Sequence, residues 1–269
     1  MTSFQRIIKY LAMAFAMLLI VSIISGICGA IALLTGMKGG SSAGPMESYQ
    51  VSGNIESLDM EISAAALKIV SGDRFAVESN HKYLKVRLEE GKLKIDEEKV
   101  MFGTSPEGVT VVLTVPEDFV FEDVDIETGA GKVEIDTLSA NTLSMELGAG
   151  STQIGCLNAA TRGKISTGAG MLVVRDGKLH NLSMEIGTGR LELTGCLTGK
   201  SRLDFGLGEA ELTLLGSREE YRIQFEKGIG SGTLDGKEMS GGSVYGGGVN
   251  RLDIDGGIGA LRIHFRDET

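Results

Sequence analysis

A short phrase recurs along the second half of the chain: alternating apolar residues, a Gly-x-Gly, then alternating apolar residues again. It first reads Val124-Asp-Ile-Glu-Thr-Gly-Ala-Gly-Lys-Val-Glu-Ile135, then Leu143-Ser-Met-Glu-Leu-Gly-Ala-Gly-Ser-Thr-Gln-Ile154. Further copies centre on Gly168-Ala-Gly170, Gly187-Thr-Gly189 and Gly206-Leu-Gly208, with looser ones at Gly228-Ile-Gly230 and Gly257-Ile-Gly259. Their first glycines lie 19, 20, 19, 19, 22 and 29 residues apart. A fixed period of this length signals a stacked repeat. A unit of 19–20 residues is too short for a four-stranded blade or a strand–helix pair with loops. It suits one coil of a solenoid, each coil ~4.8 Å above the last. The expected fold is therefore all-β, a parallel β-solenoid of about 19–20 residues per coil, with a stack of roughly 30 Å for the seven phrases.

Within each phrase the inward side is readable from the alternation. Three residues before the first glycine stand Ile126, Met145, Ile165, Met184 and Leu203. Four and six residues after it stand Val133 and Ile135, Thr152 and Ile154, Leu172 and Val174, Leu191 and Leu193, Ala210 and Leu212. Leu138, Leu157, Leu179, Leu197 and Leu215 close the units. Glu, Gln, Lys and Arg fill the alternate positions, so each strand buries one face. The glycines are expected at corners, where a missing Cβ lets the chain turn and successive corners stack closely.

The 39 glycines lack a three-residue period, and with only 3 prolines they belong to turns rather than to a collagen-like helix. The net charge is −10, and the first 44 residues carry Arg6, Lys9 and Lys38 but no acid. All 36 acids, against 23 of the 26 basic residues, therefore lie in the remainder, which argues against nucleic acid or anionic lipid as its partner. With no Trp and 5% aromatic residues, stacking platforms for sugars or bases are poorly supplied.

The chain divides by composition. Residues 1–10 carry two positive charges and read as a cytoplasmic N-terminus. Leu11 to Leu34 is free of charge, and as a helix of about 36 Å it crosses a ~30 Å hydrocarbon core with some tilt. It is too long for the ~7–15-residue apolar region of a cleaved signal peptide. One transmembrane α-helix is therefore expected, with the rest of the chain extracytoplasmic at the cell membrane. Residues 35–49 are a Gly/Ser tether. Residues 50–123 read as an irregular β-rich beginning of the solenoid, with strands over 58–62, 67–70, 75–77, 83–88, 92–96 and 109–115 and a loop over 97–108. The repeat solenoid occupies 124–265, its last coil at 252–263, and 266–269 is a charged tail.

Candidate chemistry is sparse. Gly195-Cys-Leu-Thr-Gly-Lys-Ser201 is one residue short of a phosphate-binding loop and precedes a strand pattern where a helix is needed. Gly256-Gly-Ile-Gly-Ala-Leu261 has Leu where a calcium-binding glycine repeat needs Asp. His81, His180 and His264 have no partners at ligand spacing and read as surface or strand-end residues. No residue is assigned to catalysis, a metal or a cofactor. Cys156 and Cys196 fall two coils apart, near 10 Å, and are expected as free thiols. The one outward regularity lies two residues before the glycine pairs: Glu127, Glu146, Ser166, Glu185 and Asp204. On stacked coils these acids form a column that a divalent cation or a basic partner could neutralise. As a plain solvated face, it would be balanced by Lys132 and Arg190.

The strand end Val115-Pro116, the approach Phe121-Glu-Asp-Val-Asp-Ile126 and the Gly-x-Gly coils resemble a bacterial family of β-strand-repeat domains of unknown function labelled "putative adhesin". The resemblance spans roughly 50–265. It implies a cell-envelope protein, often membrane-anchored, with no catalytic residues to carry over. The expected function is non-enzymatic surface binding to an envelope polymer or protein. The alternative is a regulatory or stress-sensing partner of another membrane protein, for which Ser25, Gly26 and Gly29 allow close helix approach. A carbohydrate-active solenoid enzyme comes third, since it needs an acid pair and usually an aromatic-lined groove.

Overall fold

The computed structural model describes residues 44–97 and 108–267. Residues 1–10, expected to be cytoplasmic, the expected helix over Leu11–Leu34, most of the expected tether and the segment 98–107 lie outside them. Among the described residues no helix is long and apolar enough to cross a membrane.

The strands follow one another as β1 (Glu47–Tyr49), β2 (Ser57–Ala64), β3 (Ala66–Gly72), β4 (Ala76–Ser79), β5 (Leu84–Glu89), β6 (Lys92–Glu97) and β7 (Thr110–Pro116). A 60-residue run, β8 (Phe121–His180), then winds continuously through successive coils, followed by β9 (Leu182–Thr198) and β10 (Lys200–Leu215). After a single 3-10 turn at Arg218–Glu220 come β11 (Tyr221–Glu226), β12 (Ile229–Leu234), β13 (Lys237–Glu238), β14 (Ser243–Gly246) and β15 (Asn250–Arg266).

Successive coils pair in parallel and in phase with the glycine phrase. Gly170 lies opposite Gly189, and Gly189 opposite Gly208. The corner explains the composition at this position. Gly150 and Gly170 hold φ of +143° and +139°, and a Cβ on either would fall on the backbone carbonyl oxygen of the glycine one coil earlier, Gly131 and Gly150 respectively. Both restrictions select glycine independently. Inside the coils the alternating residues form one continuous core: Ile126, Met145, Ile165, Met184 and Leu203 are all buried, as are Val133, Ile135, Ile154, Leu172, Val174, Leu191, Leu193 and Leu212. Leu138, Leu157, Leu179 and Leu197 close their coils as expected. At the fifth closing position Leu214 is buried and Leu215 only half-buried. There the chain stays extended through Leu214, then leaves the stack at Gly216 with φ +111°.

Two arrangements differ from the sequence reading. The stretch before residue 124 is not irregular throughout. β2 and β3 form a full coil against β8, Leu58 opposite Val124 and Leu67 opposite Val133, with Ser63-Ala64-Ala65 at the glycine corner. β6 and β7 lie in parallel on the far side of that coil. At the other end, the coil expected to be last is not outermost. β15 lies between β10 and the pair β11–β12, so Gly259 faces Gly208 on one side and Gly230 on the other. Spatial order therefore departs from chain order at both ends, and each terminal coil of the described chain is clamped between two others.

The stack is finished by antiparallel strands: β5 on β6, β4 on β7 and β1 on β4 at one end, β14 on β11 and β13 on β12 at the other. Bare parallel edges would template further pairing. Here the edge strands are short or, in β5, carry exposed Lys85, Arg87 and Glu89.

Candidate functional site

The outward column is a consequence of register. Within a strand, the residue two before the corner points away from the core, and parallel in-phase pairing sets equivalent residues side by side. Asp204 lies opposite Glu185, and Glu185 opposite Ser166. Glu127 and Glu146 continue the line, since the corner of Gly148 sits on that of Gly129, and Gly168 on Gly148. The structure thus brings Glu127, Glu146, Glu185 and Asp204 together on one face, as the alternation predicts. It also lengthens the column. Glu61 lies opposite both Glu127 and Asp96, while Asp255 lies opposite both Asp204 and Glu226. Asp255 and Glu226 were readable two residues before the looser glycine pairs. Glu61 and Asp96 were not, because no glycines mark their coils.

The neighbouring outward column decides how the charge is balanced. It runs Asp59, Asp125, Ser144, Lys164, Ser183, Arg202 and Asp253. Lys164 Nζ stands 2.8 Å from Glu146 Oε1, and Arg202 holds Asp204 and Asp255 at 2.8 Å each. Arg87 pairs with Asp96 at 2.7 Å. The hydrogen bond to Glu146 and its charge push the Lys164 ammonium above its ordinary value. Lys132 and Arg190, expected to balance the column, instead pair with Glu134 and Glu192. They follow the glycines, and the corner carries them onto another side of the coil. Glu127 and Glu185 remain exposed, and make no ion pair among the described residues. Beside them runs a shallow groove of about 560 Å³, open to solvent and lined by Glu61, Glu127, Glu146, Ser166, Glu185 and the backbone of the corner glycines.

The remaining singled-out residues take structural places. Lys200 and Ser201 open β10 rather than a helix, and Ser201 points into the core opposite Leu252, its hydroxyl without a hydrogen-bond partner. His180 Nδ1 meets Thr198 Oγ1 at 2.9 Å across adjacent coils, and His264 is half-buried. His81 is a correction. It is buried rather than superficial, its Nδ1 accepting from the Tyr83 amide at 3.0 Å and its Nε2 lying 3.6 Å from Glu97. β4 and β5 bracket it, so a strand-end position in sequence became an interior one in the end layer. Cys156 and Cys196 are free and half-buried. Burial pushes the Cys156 thiol up, against a hydrogen bond from Asn158. Among the described residues no group of three or more His, Cys, Asp or Glu is placed to hold a metal ion.

The sequence pattern of the Toastrack DUF4097 family matches residues 99–228. No curated protein matches the chain. Solved structures do. One described as a "putative adhesin" from Bacteroides fragilis is 13% identical with a TM-score of 0.51, covering 81% of this chain and 96% of that one. A "putative cell adhesion protein" from Clostridium sporogenes is 15% identical with a TM-score of 0.35, covering 82% and 99%. A "putative adhesin" from Parabacteroides merdae is 10% identical with a TM-score of 0.34, covering 84% and 98%. The pattern match over 99–228 and the Bacteroides fragilis structure support a Toastrack-like all-β solenoid fold.

Proposed function

We propose that this chain is a membrane-anchored, extracytoplasmic β-solenoid of the cell envelope that binds an envelope polymer or protein through an outer face of its stack, in an adhesin-like role without chemistry of its own. The observation that carries the reading is the in-register column from Asp96 through Glu61, Glu127, Glu146, Glu185, Asp204 and Asp255 to Glu226. A rigid stack repeats one outward position at ~4.8 Å intervals, here a carboxylate at each described coil but that of Ser166, a spacing suited to an extended partner with its own repeat. The groove beside the column gives such a partner a bed, and the free carboxylates of Glu127 and Glu185 give it charge to meet. The anchor rests on the charge-free run Leu11 to Leu34, and the orientation on Arg6 and Lys9.

Crosslinking in intact cells followed by mass spectrometry tests the reading. The unmodified chain captures wall polymer or an envelope protein. The combined variant Glu127→Ala, Glu146→Ala, Glu185→Ala, Asp204→Ala loses that capture, while Glu192→Ala with Glu211→Ala on another side keeps it. Equal capture by both variants contradicts the face assignment. Capture of a membrane kinase or transporter through residues 11–34 supports the regulatory alternative instead, and turnover of a polysaccharide by the purified protein contradicts a non-enzymatic role.

A further inference from the structure

β15 follows β10, β11 and β12 in sequence yet lies between them in the stack. On one side it pairs with β10 from Lys200–Arg251 to Leu215–Arg266. On the other it pairs with β11 from Tyr221–Asn250 to Glu226–Asp255, and with β12 from Ile229–Ile258 to Leu234–Ile263. The two flanking coils are in phase with the same residues of β15, so they are in phase with each other. Without β15 between them, Leu203 comes opposite Phe225, Leu207 opposite Ile229, Gly208 opposite Gly230 and Leu212 opposite Leu234. Core residues still meet core residues, and glycine corners still stack. Chain length permits this contact, because Gly206 and Gly228 are 22 residues apart, against 19 or 20 for coils that stack directly.

We infer that β15 is a plug inserted late. β10 and β11–β12 first stack directly on each other, and β15 then enters between them to give the final order. The final state is fitted to the inserted strand. Insertion buries Leu252, Ile254, Leu261 and Ile263, each at most 2% exposed. Gly256 lies between the rings of Phe205 and Phe225, where a side chain larger than methyl would meet both. The Tyr221 hydroxyl accepts from the Leu197 amide and donates to the Leu215 carbonyl, tying β11 to β9 and β10 past the inserted strand. The join between β14 and β15 is Gly247-Gly248-Val249, with Val249 85% exposed. The driving force is therefore burial of β15's own apolar face, and the delay comes from a register-equivalent pairing that forms from residues already adjacent in the chain.

Two cysteine pairs in the full chain, in detergent and with Cys28, Cys156 and Cys196 replaced by Ser, read the order directly. In the folded protein Leu207→Cys with Ile258→Cys forms a disulfide, because the positions are on adjacent coils. Leu207→Cys with Ile229→Cys does not, being two spacings, about 9.6 Å, apart against a ~7 Å limit. During refolding with oxidation at successive times, the 207–229 bond appears first and declines as the 207–258 bond rises. A 207–258 bond present from the earliest time, with 207–229 never above its level in the denatured chain, overturns the inference. Pulse-labelled hydrogen exchange on the unsubstituted chain gives the same reading without variants: amides of β11 and β12 become protected before those of β15, and simultaneous protection overturns it.

Discussion

At Gly170 a positive φ and a carbonyl packed against the missing Cβ act on the same atom position. Gly170→Ala therefore combines a left-handed backbone cost of ~1–2 kcal/mol with an overpacking cost of ~1–3 kcal/mol, and loses about 2–5 kcal/mol in chemical denaturation. Ala169→Ser, one residue away on the exposed corner, stays within about 0.5 kcal/mol. Tyr221 is the other residue with a clear single role. Tyr221→Phe keeps the ring against Phe265 but leaves the Leu197 amide and Leu215 carbonyl without their partner, at a cost of about 1–2 kcal/mol with unchanged strand content by circular dichroism. Charge pairing on the surface is read by pH. Hydrogen bonds from Lys132 and then Lys68 hold the Glu134 carboxyl below its ordinary value. A depressed carboxylate stabilises the fold above its unfolded-state pKa, and that contribution is lost as pH falls through the folded value. Lys132→Met should raise the Glu134 titration seen by NMR toward the ordinary range, and an unmoved titration contradicts the pairing.

At the scale of the strand, clamping makes position in the stack matter more than position in the chain. A terminal segment ordinarily frays at little cost. β15 lies between two coils, so Ile254→Ala should cost about 2–5 kcal/mol, as much as Leu193→Ala in mid-stack, while Val244→Ala on the edge strand β14 stays within about 0.5 kcal/mol. The same element marks how far the sequence could be read. The coils from 124 to 215 were legible because only glycine satisfies the corner, and only alternation satisfies the core. The coil made by β2 and β3 was hidden for a physical reason. A glycine is required where the preceding coil's carbonyl lies beneath the corner, as Ser63 and Ala65 lie beneath Gly129 and Gly131. Ser63, Ala64 and Ala65 take the corner of their own coil, so no glycine marks it in the sequence. The place of β15 was hidden because equivalent repeats carry no information about order. The acid column was legible at Glu127, Glu146, Glu185 and Asp204, but its counterions were not. Lys164 and Arg202 reach it from the neighbouring outward position, whereas Lys132 and Arg190 are carried away by the corner.

The described residues form one stack whose order is β6–β7, β2–β3, the turns of β8, β9, β10, β15 and β11–β12, closed by antiparallel strands at both ends. That order runs the acidic face from Asp96 to Glu226, interrupted only at Ser166 among the described coils, and it is the premise of both the binding proposal and the late insertion. Spin labels at corner positions measure it in the folded protein. From Ala130 the corners run through Ala149, Ala169, Thr188 and Leu207 to Ile258 and then Ile229. Pulsed electron–electron distances should therefore be about 24 Å for 130–258 and about 29 Å for 130–229. If the coils instead follow chain order, the two distances exchange, and a shorter 130–229 distance contradicts the account.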